Sequence, residues 1–146
     1  MAFNGELDTQ LLLDVIWKKR KACYLPYIKD NQMLFIKYEE GEQLIKNRLG
    51  ILEPIFDAKK IIYPQKIDLV IVPLVGFDEN ANRLGNGGGY YDRTFIFKKQ
   101  QPNKPYLIGI GYECQKIPSL DIKDWDVPMD MIVTESFFYT CAQKPV

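Results

Sequence analysis

The chain has 146 residues, 47% of them hydrophobic, which suffices for one domain with a substantial core. Lys plus Arg and Asp plus Glu number 19 each, so there is no overall field for nucleic acid or an anionic membrane, and any anion must be recognised locally. Histidine is absent, which removes the usual general base at neutral pH and the commonest transition-metal ligand. Along the chain, Asp8 or Thr9 can cap a helix running to about Arg20, with Leu12, Val15 and Ile16 on its apolar face. The basic run at residues 18–21 complements the C-terminal end of that helix. Strands are predicted over residues 21–27, closed by Pro26, and over residues 32–38. A short helical pattern follows at residues 42–47, then an extended stretch where Pro54 restricts Glu53.

Residues 69–75 form an apolar run of the sort that is buried on both faces, and the central strand is predicted over residues 67–75. The C-terminal end of such a strand is where open α/β sheets place ligands. A helix is predicted over residues 90–99, a strand over 106–112 and a last strand over 131–134, with Phe137, Phe138 and Tyr139 extending or covering it. Alternating strands and helices predict a three-layer α/β/α domain over residues 1–146 with a mostly parallel sheet. The sequence has no run of 18 apolar residues and no cationic start followed by an apolar core, so we expect neither a membrane-spanning helix nor a signal peptide. Cys23, Cys114 and Cys141 lack metal-site spacing and read as reduced thiols of a cytoplasmic protein.

Four of the ten glycines, Gly85, Gly87, Gly88 and Gly89, fall within five residues in the stretch that follows the predicted central strand, just before a predicted helix. Unpaired amides in such a turn converge on one point, and the helix start adds positive potential, so the natural guest is an anion. Arg83 and Arg93 bracket the turn with donors that suit phosphate oxygens. The spacing matches neither a P-loop nor a dinucleotide-binding fingerprint, since Tyr90 stands where the latter needs its third glycine. The plainer alternative is a tight strand-to-helix connection. Four glycines beside two arginines favour phosphate.

The run from Arg83 to Arg93, Arg-Leu-Gly-Asn-Gly-Gly-Gly-Tyr-Tyr-Asp-Arg, resembles the signature of the 5-formyltetrahydrofolate cyclo-ligase (methenyltetrahydrofolate synthetase) family. Further matches lie on both sides, at Gly5-Glu6-Leu7-Asp8-Thr9, Tyr24-Leu25-Pro26, Gly50-Ile51-Leu52-Glu53-Pro54, residues 68–73 and residues 130–135. The resemblance implies a fold similar to ribose-phosphate isomerase and CoA-transferase-like domains. It implies ATP- and Mg²⁺-dependent conversion of 5-formyltetrahydrofolate to 5,10-methenyltetrahydrofolate, with ADP and phosphate released. By position, Arg83, Leu84, Gly85, Asn86, Gly87, Gly88, Gly89, Tyr90 and Tyr91 would bind ATP. Glu6 together with Asn86, Gly87, Gly88, Gly89 and Tyr90 would contact the folate, and Asp92 and Asp130 would hold the metal. Read without the family, Asp92 is a helix first-turn charge, Asp130 a turn residue and Glu6 an exposed helix-flanking side chain.

Two departures bear on fine positioning: Ala81 stands where the family usually has glycine, and Asn86 replaces a commonly aromatic or basic residue. The resemblance also implies a helix-strand segment ahead of the Glu6 region carrying a Lys-x-x-x-Arg element for ATP, so a chain beginning at Met1 is expected to bind ATP weakly. The alternative function is a weak or inactive folate- or nucleotide-binding module of the same fold. The expected partners are 5-formyltetrahydrofolate and ATP, without nucleic acid or membrane, in a monomer or small homo-oligomer.

Overall fold

The computed structural model describes residues 8–141. Helix α1 (Gln10–Lys18) begins after Thr9, with Asp8 Oδ1 accepting the Gln10 N–H at 3.1 Å. Strands β1 (Tyr24–Lys29) and β2 (Gln32–Lys37) form an antiparallel hairpin. Its two-residue turn, Asp30 and Asn31, has φ of 49° and 62°, the left-handed pair that suits the twist of a tight hairpin. Pro26 does not close β1, which runs on to Lys29. As an edge strand bonded only to β2, β1 can spare the missing N–H.

The predicted helical pattern at residues 42–47 is replaced by a second hairpin, β3 (Leu44–Lys46) with β4 (Leu52–Pro54). Asn47 turns the chain there, its Oδ1 accepting the N–H groups of Leu49 (2.9 Å) and Ile51 (3.1 Å). Strand β5 (Ile61–Ile62) adds to β2, giving a three-stranded antiparallel sheet in the order β1-β2-β5. The central strand β6 (Leu69–Pro73) follows, then a short hairpin of β7 (Gly76–Phe77) and β8 (Arg83–Leu84). Helix α2 (Tyr90–Phe95) continues as a 3₁₀ turn over Ile96–Lys99. Strands β9 (Tyr106–Ile110), β10 (Met131–Val133) and β11 (Phe138–Thr140) complete the second sheet, in the order β11-β10-β9-β6.

The protein is a mixed α/β fold. The parallel expectation is met where β6, β9 and β10 lie side by side. It is not met by β1 and β2, whose two-residue turn permits only antiparallel pairing, nor by β5, which also runs antiparallel to β2. One apolar core joins the two sheets: Met33 and Phe35 from β2 meet Val70 and Val72 from β6, Leu107 from β9, Ile132 from β10 and Phe95 from α2. A smaller cluster of Leu13, Cys23 and Tyr38 sits beneath α1, and burial there pushes the Cys23 thiol up. Among the described residues no helix is long and apolar enough to cross a membrane.

Candidate functional site

The site is built on the turn between β7 and β8. Asp78, 1% exposed, gathers its donors there: Oδ1 accepts the N–H groups of Asn80 (3.0 Å) and Asn82 (3.1 Å), and Oδ2 accepts the Asn82 amide (3.0 Å) and the Leu120 N–H (3.2 Å). A buried carboxylate so supplied with donors fixes the path of the chain into the glycine segment. The same carboxylate ties Leu120, another residue of the cavity wall, to this turn. Ala81 completes the turn at φ 64°, and its carbonyl accepts the Met129 N–H at 2.9 Å.

Beyond β8 the glycines wrap around two arginines. The Arg83 side chain is only 7% exposed and its guanidinium fills the space where a side chain on Gly85 would stand. It lies 5.1 Å from the Tyr91 ring centre and 3.8 Å from Asp92 Oδ2, and its Nε finds no hydrogen-bond partner among the described residues. Gly89 precedes α2 at φ 66°, a left-handed conformation that L side chains rarely adopt. Arg93 braces the outer side of the loop, donating to the Gly88 carbonyl at 2.7 Å and lying 4.9 Å from the Tyr90 ring centre.

Residues 83–92 open onto a cavity of about 1180 Å³. Its other walls are mostly apolar, from α1 (Leu12, Ile16), β1 (Leu25, Ile28) and β6 (Val70). All nine residues assigned to ATP, Arg83, Leu84, Gly85, Asn86, Gly87, Gly88, Gly89, Tyr90 and Tyr91, line this one space. Arg83 contributes to the lining from beneath the loop, with its side chain nearly buried. Glu6, assigned to the folate, lies outside the described residues.

The two aspartates assigned to a metal are not brought together on the cavity. Asp92 lines it, 21% exposed, with Oδ1 accepting the Val127 N–H at 2.9 Å. Asp130 is absent from the lining. It is 5% exposed, and its Oδ2 accepts the Lys98 ammonium at 3.0 Å and the Leu107 N–H at 2.7 Å. Lys98 also donates to the Pro105 carbonyl at 2.6 Å. Among the described residues no group of three or more His, Cys, Asp or Glu side chains is placed to hold a metal ion. Sequence reasoning passed over Asp78, Lys98 and Glu53. For Asp78 a signal was present in Asp-Glu-Asn-Ala-Asn, the composition of a turn closed by its own side chains. Lys98 and Glu53 carry no local signal, because each is buried by contacts distant in sequence.

The 5-formyltetrahydrofolate cyclo-ligase family model matches residues 1–135. The 5-formyltetrahydrofolate cyclo-ligase of Escherichia coli K12 is 39% identical over 139 residues, covering 93% of this chain and 75% of its own. That of Haemophilus influenzae is 35% identical over 137 residues, covering 90% and 72%. The fold is similar to the solved 5,10-methenyltetrahydrofolate synthetase of Aquifex aeolicus, with a TM-score of 0.76 at 28% identity, over 100% of this chain and 71% of that one. It is also similar to the synthetase of Mycoplasma pneumoniae, with a TM-score of 0.68 at 25% identity, over 93% and 70%. These matches span both sheets, the glycine loop and its supports, and the chain belongs to the 5-formyltetrahydrofolate cyclo-ligase family.

Proposed function

We propose that this enzyme converts 5-formyltetrahydrofolate to 5,10-methenyltetrahydrofolate, with ATP as the activating co-substrate and ADP and phosphate released. The observation that carries the proposal is the opening of the loop at residues 85–89 and of Asp92 onto one large, mostly apolar cavity. Such a space accommodates a fused ring system and a polyphosphate together. In the proposed reaction the formyl oxygen attacks the γ-phosphorus, displacing ADP. N10 of the folate then attacks the activated carbon, and the C–O bond breaks as phosphate leaves, taking up the proton that N10 loses. The protein's task is placement and charge neutralisation, so the absence of histidine is no obstacle. Loop amides and the start of α2 face the phosphates, Arg83 fixes the loop from beneath, and Tyr90 and Tyr91 flank the ligand.

Mg²⁺, when bound with ATP, supplies neutralisation of the phosphate charge. Asp92 fits that ion: it is a hard oxygen donor on the cavity wall, and Mg²⁺ commonly takes only one or two carboxylates while keeping waters. Asp130 does not fit, because it is absent from the cavity wall and its oxygen is bonded to the Lys98 ammonium at 3.0 Å, whereas the cation beside Asp92, the Arg83 guanidinium, stands off at 3.8 Å. The proposal retains a cytoplasmic location and the three-layer arrangement similar to ribose-phosphate isomerase-like folds. The free thiols support the first and the parallel ladder of β6, β9 and β10 supports the second.

The test is to follow methenyltetrahydrofolate formation by absorbance with and without ATP and Mg²⁺. Turnover is expected only with all components present. Tight binding of both ligands with no turnover would overturn the enzymatic reading in favour of a binding module.

A further inference from the structure

Glu53 lies in the middle of β4, is 6% exposed, and belongs to the wall of the same cavity as the glycine loop. Its Oε2 accepts the Asn47 amide at 3.1 Å and, more weakly, the Ile28 N–H at 3.4 Å. Asn47 is itself fixed, because its Oδ1 accepts the Leu49 and Ile51 N–H groups, so its amide donor is aimed at Glu53. No lysine or arginine among the described residues forms an ion pair with Glu53, and Oε1 accepts no hydrogen bond from any of them. A carboxylate held rigidly among apolar walls, with acceptor capacity unused, calls for a donor from the ligand. Of the other buried carboxylates, Asp78 has both oxygens engaged by N–H donors of the protein, and Asp130 is paired with the Lys98 ammonium.

We propose that Glu53 recognises the paired N–H donors of a 2-amino-4-oxopteridine ring, N3–H and the exocyclic 2-amino group, and so sets substrate specificity. This rests on the folate reading above. The two donors lie side by side and can converge on Oε1, the oxygen that the described residues leave unengaged, whereas the pairing edge of adenine presents one donor beside an acceptor nitrogen that a carboxylate repels. The geometry therefore sends the pteridine toward β4 and leaves the phosphates of ATP to the loop.

The experiment titrates wild type, Glu53→Gln and Glu53→Ala with 5-formyltetrahydrofolate, its 2-desamino analogue and ATP, with thermal melts confirming that each variant is folded. Wild type is expected to prefer the 2-amino ligand over the 2-desamino analogue by roughly ten- to a hundredfold, the worth of a charge-assisted contact. In Glu53→Gln, which keeps the shape and the bond from Asn47, that preference should shrink to a few-fold while ATP affinity stays unchanged. Glu53→Ala should do the same if it folds, and Glu53→Gln decides the matter if it does not. Unchanged folate affinity in Glu53→Gln, or an equal loss toward the 2-desamino analogue, overturns the assignment of Glu53 and leaves the cyclo-ligase reading standing. Failure of wild type to bind 5-formyltetrahydrofolate overturns both.

Discussion

At the scale of single residues, Ala81 holds a backbone conformation that suits glycine better. The position has φ 64° and is completely buried, so an L side chain there costs about 1–2 kcal/mol of conformational strain that glycine would not. Glycine also has more freedom to lose on folding, and the small methyl contact disappears. Ala81→Gly is therefore expected to stabilise the protein by a net ~0.5 kcal/mol or more, read as a raised urea midpoint at constant slope. A lowered midpoint would mean that the packing of the methyl group outweighs the strain. The two aspartates invite a sharper comparison. Asp130→Asn leaves the buried Lys98 ammonium without its counter-charge, an effect of about 3–5 kcal/mol when a buried pair loses one member. It should lower the melting temperature while the Mg²⁺ concentration needed for half-maximal activity of the folded fraction stays the same. Asp92→Asn should do the reverse, raising the Mg²⁺ requirement at modest cost to stability. Equal Mg²⁺ titrations for wild type and Asp92→Asn would remove the metal from the cavity wall.

At the scale of elements, β11 is tied to the 3₁₀ turn at Glu113–Gln115 by a cluster centred on Glu113. The Tyr139 hydroxyl donates to Glu113 Oε1 at 2.5 Å and the Thr134 hydroxyl to Oε2 at 2.8 Å. The bond to Glu113, then desolvation, push the Tyr139 phenol from its ordinary 10.0 to about 12. The same bond, followed by that from Thr134, lowers the Glu113 carboxyl below its usual 4.5. Because the folded state favours protonated Tyr139, its contribution to stability is present below about pH 10 and is lost as the pH rises toward 12. Glu113 contributes above its ordinary value, and that contribution is lost as the pH falls below it. Melting temperatures measured between pH 9 and 12 should fall less steeply for Tyr139→Phe than for wild type, and parallel curves would dissolve the coupling. The sequence made β6, β9, β10 and α2 legible because continuous apolar runs and a helix start after Gly89 leave few alternatives. It concealed β3 and β4, since three-residue strands are too short to show a period of two and Glu42 to Asn47 matches a helical turn by spacing alone. In the site, the glycine loop was legible because its residue types have a local physical purpose. Glu53 and the Lys98–Asp130 pair were not, because their meaning comes from partners 6 to 32 residues away.

For the molecule as a whole, what matters is that loop and sheets share one core. Phe95 ends α2 with no exposed surface, 5.9 Å from the Phe35 ring of β2, 6.4 Å from Tyr91 and 6.1 Å from Phe97. It thus ties the antiparallel sheet to the helix that carries Asp92 and Arg93, while Val72, Leu107 and Ile132 tie the same cluster to the parallel strands. Truncating it to alanine should cost about 3–5 kcal/mol, a large part of the ~5–15 kcal/mol that a domain of this kind possesses. Because the core is continuous, the loss should appear as one transition moved to lower denaturant, with fluorescence and circular dichroism coinciding. The loop is anchored through α2, so Phe95→Ala should also weaken ATP binding even in its folded fraction. Saturating ligand at a hundred times its dissociation constant should restore about 2.7 kcal/mol of the lost stability. Separate unfolding of the two sheets in Phe95→Ala, seen as non-coincident transitions, would show that the core is two cores in contact. Unchanged ATP affinity alongside the lost stability would show that the loop holds its shape without α2, leaving Asp78 and Arg83 as its only supports.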